Sequence, residues 1–469
     1  MILLYFYLLS KRLIVGAKIW LIIGSLFFYS YWKIIYLPLI LLSIFINYGI
    51  GSSFNSRVKT HKKKILTIGI IFNLSLLGYF KYSDFFLENL NLLFHVNIPL
   101  INIVLPLAIS FFTFQQIAYL VDSYRGETAE YDFLNYLLFV TFFPQLIAGP
   151  IVHHKEMIPQ FMSKWNQVKR YKNIVLGVII FSIGLFKKVL IADSFAIWAT
   201  QGFDHAENLA FFAAWFTSLS YTFQLYFDFS GYTDMAIGIA LMFNIKLPIN
   251  FNSPYKSLDI QDFWRRWHMT LSKFLRDYVY IPLGGNRESN VFKSYFNLIA
   301  VFVLGGLWHG ASWMFIIWGL LHGLALVIFN IWKKFGFSLN KPMAWFVTFN
   351  FINITWIFFR AENLDSAMKV LKGMFLMSGL VLPNILESKL YFLSSFGVEF
   401  GGFVANINGT NYVPIVIFLA IIGVAFLENS NTIYSKFKIS LKYLVLLVVI
   451  DLILIFKLND QSVFLYFNF

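Results

Sequence analysis

The chain of 469 residues is 59% hydrophobic and 13% charged, with a mean hydropathy of +0.69. Charged side chains make up about 25% of an ordinary soluble domain, so the composition excludes a soluble enzyme and describes an integral membrane protein. Cysteine is absent, which excludes thiolate catalysis, disulfides and cysteine-bound metals. The formal charge of +14 sits in short loops between apolar runs, where the positive-inside rule places it, and so speaks for topology and membrane lipid rather than for nucleic acid.

A membrane helix needs about 20 largely apolar residues, and such runs follow one another almost end to end. The first, Met1 to Leu9, meets Ser10, Lys11 and Arg12 with no small-residue cleavage pattern, so it reads as a short membrane helix rather than a signal peptide. Further spans are expected at Ala17 to Trp32, Ile34 to Ile50, Ile65 to Phe80, Ile101 to Val121, Leu134 to Ile147 and Ile174 to Ala192. They continue at Leu209 to Phe227, Phe296 to Leu307, Ala311 to Trp332, Ala344 to Phe359, Val413 to Leu427 and Tyr443 to Phe456. Several are too short to cross a ~30 Å core upright, so interfacial and re-entrant helices are expected among them. The fold class is all-α, a single membrane domain over residues 1–469 with about 11 to 13 membrane helices. No internal repeat of the transporter kind is present. The basic runs Ser56 to Lys64 and Lys155 to Lys172 read as cytoplasmic. With the lysines of "YSKFKISLK" also inside, the last span runs outward and the tail Ser462 to Phe469 emerges on the far side, the periplasmic one in a bacterium.

The stretch Tyr221 to Gly323 concentrates polar residues in apolar surroundings. Asp228 and Asp234 flank Ser230 and Gly231; carboxylates at such depth are functional candidates, or they cap helix ends around a glycine break. In "FWRRWHMTLSKFLRDYVYIP" helical spacing puts Trp264, Trp267, His268, Leu271 and Leu275 on one face and Arg265, Ser272, Lys273 and Arg276 on the other. That pattern predicts an interfacial helix whose basic face meets lipid headgroups or a phosphorylated substrate. His309 follows in "VFVLGGLWHGASW", among glycines that allow close backbone approach, and His322 in "WGLLHGLAL", where it reads first as helix-packing glue. The histidine spacings match no zinc pattern, and no metal is expected.

These residues carry a resemblance. "ISFFTFQQIAYLVDSYRGE", "TFFPQLIAGPIV", the run from "YTFQLYFDFSGYTD" through "FWRRWHMTLSKFLRDYVYIPLGGNR", and "LGGLWHGASWMFIIWGLLHG" closely resemble the membrane-bound O-acyltransferase family. The nearest branch is the bacterial one that O-acetylates alginate, peptidoglycan and related envelope polymers. The match covers Ile23 to Phe359 and returns at the last residues, with two departures: a short N-terminus, and His153 where relatives tend to carry arginine.

The resemblance implies a central tunnel through the bilayer and the bacterial inner membrane as location. An acyl thioester, acetyl-CoA, enters from the cytoplasm, and no cofactor is bound permanently. It puts the family's histidine on His309 and the second polar position on His268. Acyl transfer to a hydroxyl needs a base that is neutral near pH 7; His309 is expected to take the acceptor proton, and His268 to orient the acceptor or stabilise the oxyanion. Trp264, Arg265, Arg266, Arg276, Trp308, Asp228, Asp234 and His322 are further candidates for coenzyme or substrate binding or for lining the tunnel, and residues 221–323 form the catalytic core region. The tail "FLYFNF" matches the branch's aromatic ending, whose tyrosine, Tyr466 here, is implicated as an acyl relay. Its ester would pass acetyl to a periplasmic SGNH-type O-acetyltransferase acting on an envelope polysaccharide. A plain interfacial aromatic anchor is the simpler use of such a tail. D-alanyl transfer to teichoic acid, transport of an envelope precursor, and an inactive scaffold stand as the alternatives.

Overall fold

A computed structural model describes residues 1–54, 61–128, 131–147, 149–285, 290–438, 440–457 and Leu465. Its helices, in chain order, are α1 (Ile2–Ser10), α2 (Ile14–Trp32), α3 (Leu37–Ser53), α4 (Lys62–Leu77), α5 (Ser83–Phe94), α6 (Ile109–Tyr124), α7 (Phe133–Thr141), α8 (Phe143–Leu146) and α9 (His154–Met162). They continue with α10 (Tyr171–Phe186), α11 (Asp193–Thr200), α12 (Phe211–Met242), α13 (Ile260–Trp264), α14 (Met269–Leu275), α15 (Val291–His309), α16 (Trp313–Lys334), α17 (Lys341–Arg360) and α18 (Leu364–Met374). After α18 come β1 (Leu380–Pro383), α19 (Glu387–Leu390), β2 (Val398–Gly401), α20 (Val413–Phe426), α21 (Ser430–Lys436) and α22 (Leu441–Lys457). The two short strands pair in parallel, Leu380 opposite Val398, in an otherwise helical protein. Among the described residues, eight helical segments are long and apolar enough to cross a membrane, and the protein is a multi-pass membrane protein.

The central element is α12. Its 32 residues run unbroken, and most are buried, including Thr217, Ser218, Thr222, Asp228 and Asp234. Polar groups at that density are tolerated because protein, rather than lipid, surrounds the helix. Its first part packs into an aromatic cluster with α11 and α15 to α18, and its last part into a second cluster with α1 to α3 and α10. α10 lies against it through reciprocal glycines two turns apart on each helix. A Cβ on Gly184 would meet Gly231 O at 2.5 Å, and one on Gly177 would meet Gly238 O at 2.5 Å. Backbones therefore touch directly, as small residues permit in membranes.

Three expectations change. The span expected from Ile101 starts at Ile109, and residues 101–106 are irregular coil leading through Pro106 to it. The run Leu134 to Ile147 is split into α7 and α8 at Phe142, where Pro144 sits in the first turn of α8 and can only open a helix. The helix expected through Phe263 to Pro282 is also broken, into α13, α14 and a π-helical turn at Arg276–Tyr280. The cause is competition for backbone groups. Asn252 N–H donates to Arg266 O at 2.9 Å and Met269 N–H donates to Asn250 O at 3.0 Å, so neither group serves a continuous helix. His268, between them, takes a left-handed φ of 42°, a conformation rare for a non-glycine residue.

Candidate active site

His309 is the last residue of α15 and is 4% exposed. α15 reaches α16 without intervening side chains: a Cβ on Gly306 would meet Phe315 O at 2.2 Å, and one on Gly319 would meet Phe302 O at 2.3 Å. That crossing sets the His309 ring among aromatic edges, 5.3 Å from Trp318 and 5.0 Å from Phe359 between centroids. The break before α14 delivers His268 to the same room. It is fully buried, its ring 4.9 Å from Phe229 and 6.4 Å from His309. Trp308 packs between these parts, 6.0 Å from His268 and stacked on Phe114 at 5.2 Å.

A helix C-terminus leaves carbonyls without intrahelical donors. Here the π-helical turn Gly78–Tyr82 between α4 and α5 supplies them. Lys81 Nζ donates to Trp308 O at 2.6 Å, to His309 O at 3.0 Å and to Ser110 Oγ at 3.4 Å, and the Tyr82 hydroxyl donates to Leu307 O at 2.6 Å. The end of α15 is thus held by side chains from another span. The charge also lies where the helix dipole favours a cation.

A cavity of about 640 Å³ leads to His309. Trp264, Arg265, Lys273, Arg276, Trp318 and His309 are among its lining residues, and apolar side chains of α15 supply much of the remaining wall. Arg265 and Arg276 are exposed and His309 is buried, so the cavity passes from a basic, solvent-facing end to an aromatic, enclosed one. Arg266 is not among the lining residues and pairs with Asp262 at 2.9 Å. His322 accepts from Trp264 Nε1–H at 3.2 Å and lies in the small-residue crossing of α16 with α15, where Gly323 approaches Ile299.

The two carboxylates of α12 do not cap helix ends, because α12 continues through both. Asp234 pairs with Lys187 at 2.6 Å and accepts from Ser430 Oγ at 2.9 Å. Asp228 is 1% exposed and pairs with Lys188 at 2.8 Å, which also pairs with Asp193 at 2.6 Å. Asp228 further accepts the backbone N–H of Leu465 at 3.2 Å, and Leu465 packs on the aromatic cluster that contains Trp308. Leu465 therefore meets α12 one residue before Phe229, the ring that meets His268. Tyr466 lies outside the described residues.

The family model of the membrane-bound O-acyltransferases matches residues 17–361. The chain belongs to the membrane-bound O-acyltransferase family. It is similar to a peptidoglycan O-acetyltransferase of Helicobacter pylori, 51% identical over 96% of this chain and 91% of the relative. A probable alginate O-acetylase of Azotobacter vinelandii is 41% identical over 79% of this chain and 75% of that protein. A teichoic acid D-alanyltransferase of Bacillus subtilis is 30% identical over 52% of this chain and 62% of its own. This membrane-bound O-acyltransferase is an enzyme, which sets the transporter and inactive-scaffold readings aside.

Lys81, Lys188 and Asn250 were not singled out from the sequence. Lys81 follows the apolar run that ends at Phe80 and looks like a flanking charge, and the π-helical turn that carries it inward leaves no periodic signature. Lys188 sits likewise at the end of an apolar run. A lysine within or directly after an expected span, with more helix following it, is the signal that could have found both.

Proposed function

We propose that this enzyme is an acetyl-CoA-dependent O-acetyltransferase of the bacterial inner membrane that supplies acetyl for an envelope polysaccharide of the peptidoglycan or alginate kind. The observation that carries the reading is His309 at the enclosed end of a cavity whose open end is basic, with the buried His268 ring 6.4 Å from it. The shape suits the donor. Phosphates of coenzyme A meet Arg265 and Arg276, where guanidinium geometry favours them, and the apolar wall takes the pantetheine arm toward His309.

The acceptor in this reading is Tyr466. Its phenol oxygen bonds to the thioester carbonyl carbon while its proton passes to His309; the C–S bond breaks and the departing thiolate takes that proton. Phenol has a pKa near 10, so the acetyl-tyrosine ester is more readily handed on than an alkyl ester. A periplasmic SGNH-type transferase then carries acetyl to the polysaccharide, which requires the C-terminus to face the periplasm. The docking of Leu465 on Asp228, next to the ring that touches His268, supports a tail directed to this room. The share of the chain matched by the D-alanyltransferase is about half, against nearly all by the peptidoglycan enzyme, which favours acetyl over D-alanyl.

The donor assignment is tested by steady-state kinetics in detergent or nanodiscs. Arg265→Gln with Arg276→Gln is expected to raise KM for acetyl-CoA by about tenfold or more and to leave kcat nearly unchanged. The lost contacts lie away from the thioester and serve ground state and transition state alike, at about 1.5 to 3 kcal/mol for a charged hydrogen bond. Absence of thiol release from acetyl-CoA, with consumption of a D-alanyl thioester instead, would overturn the reading.

A further inference from the structure

One feature of the site fixes where a proton sits. Asn250, in the segment between α12 and α13, is fully buried. Its Oδ1 lies 3.2 Å from the backbone N of Thr270, 2.9 Å from Thr270 Oγ1 and 3.1 Å from His268 Nδ1. A backbone N–H can only donate, so the atom facing Thr270 is the amide oxygen and not the amide nitrogen. Thr270 Oγ1 accepts the backbone N–H of Ile151 at 3.0 Å, which leaves its own proton to go to the same oxygen. The third group on that oxygen must then also donate, and it is His268 Nδ1. A neutral imidazole carrying its proton on Nδ1 has its lone pair on Nε2. His268 Nε2 is buried and has no hydrogen-bond partner among the described residues.

We propose that Asn250 is a positioning residue that holds His268 in the Nδ1–H tautomer, so that Nε2 accepts the hydrogen bond of the acceptor hydroxyl as it docks and sets its oxygen toward the thioester; the hydroxyl then turns its one proton to His309 as the oxygen bonds to the carbonyl carbon. The proposal rests on the reading of His268 and His309 as the reacting pair, and it decides between the two roles expected of His268. In this tautomer Nε2 has no proton to offer an oxyanion, so orientation of the acceptor is its role. Among the described residues, the rings that meet His268 are Phe229, Phe251, Trp308 and His309. Among the described residues, His309 is the titratable group that faces it from α15, with Lys81 beyond, on the carbonyls of that helix. Thr270 contributes a hydroxyl from α14, and Asn250 an uncharged amide.

The test has two independent readouts. The first is the ¹⁵N spectrum of histidine-labelled full-length protein in nanodiscs at neutral pH without acetyl-CoA, with His268 assigned by His268→Gln. It is expected to show a neutral ring protonated on Nδ1, and Asn250→Ala is expected to lose that preference; a ring protonated on Nε2 in the wild type would overturn the proposal. The second is the pH profile of kcat. In Asn250→Asp a carboxylate faces Nδ1 and favours the imidazolium, so the acid limb of the profile is expected to move to higher pH by about one unit or more. Thr270→Val, which keeps the backbone donor and adds no charge, is expected to leave the limb in place, and it serves if the aspartate variant does not fold. An Asn250→Asp enzyme with lower kcat and an unmoved acid limb would show packing alone and overturn the catalytic part of the proposal. If the spectrum is as expected while acetyl-CoA is not the donor, the acetyl reading fails and the tautomer stands.

Discussion

His309→Ala is expected to lower kcat for acyl transfer by about 10²- to 10⁴-fold, the usual contribution of a positioned general base, with KM for the donor changed little. The split follows from position. His309 is at the enclosed end of the cavity, whereas Arg265 and Arg276 are at the exposed end, so removing the imidazole affects proton transfer more than donor binding. Stability should survive. His309 closes α15 rather than sitting in its interior, Gly306 and Gly319 still set the crossing with α16, and Trp318 and Phe359 remain to fill the room. The check is acyl transfer measured beside size-exclusion behaviour. A monodisperse His309→Ala protein with full activity would contradict the assignment.

Lys81→Met is expected to cost nearly as much, about 10²-fold in kcat, although Lys81 need never touch substrate. Methionine approximates the length and volume of the lysine stem but donates nothing. The carbonyls of Trp308 and His309 would then face a buried apolar environment without their present donor, at about 1 to 3 kcal/mol for each unsatisfied group. The last turn of α15 is expected to relax toward other donors and carry the imidazole with it; a displacement of about 1 Å from productive geometry costs about 10²-fold. The same kinetic assay checks this, and a Lys81→Met enzyme with wild-type kcat would show that the end of α15 needs no cation.

Much of this protein could be read from residue order, for physical reasons that can be named. Apolar runs of membrane length are legible because lipid leaves the backbone no other partner, and the glycine-rich surroundings of His309 and His322 announced close helix crossings. His268 and His309 could be marked as polar groups on apolar faces. Their 6.4 Å ring separation could not, because it depends on how α15 crosses α16 and on the break before α14. That break was missed because the hydrophobic period through Trp264, Trp267 and Leu271 is helical, while the pairing of Asn250 and Asn252 with residues 266–269 is a non-local contact that no period records. The capping alternative for Asp228 and Asp234 fails for the same reason. Charge inside an apolar run shows that a partner exists, and the partners, Lys188 and Lys187, come from another helix.

The central claim is that acetyl leaves coenzyme A for a group this chain carries to its own histidines. The most direct measurement is a peptide-mass spectrum of purified protein after brief incubation with isotopically labelled acetyl-CoA, beside Tyr466→Phe. Labelled acetyl is expected on the C-terminal peptide of the wild type and none on that of the variant. Folded wild-type protein that binds acetyl-CoA yet leaves this peptide unlabelled would contradict the relay and place the acceptor hydroxyl on another molecule.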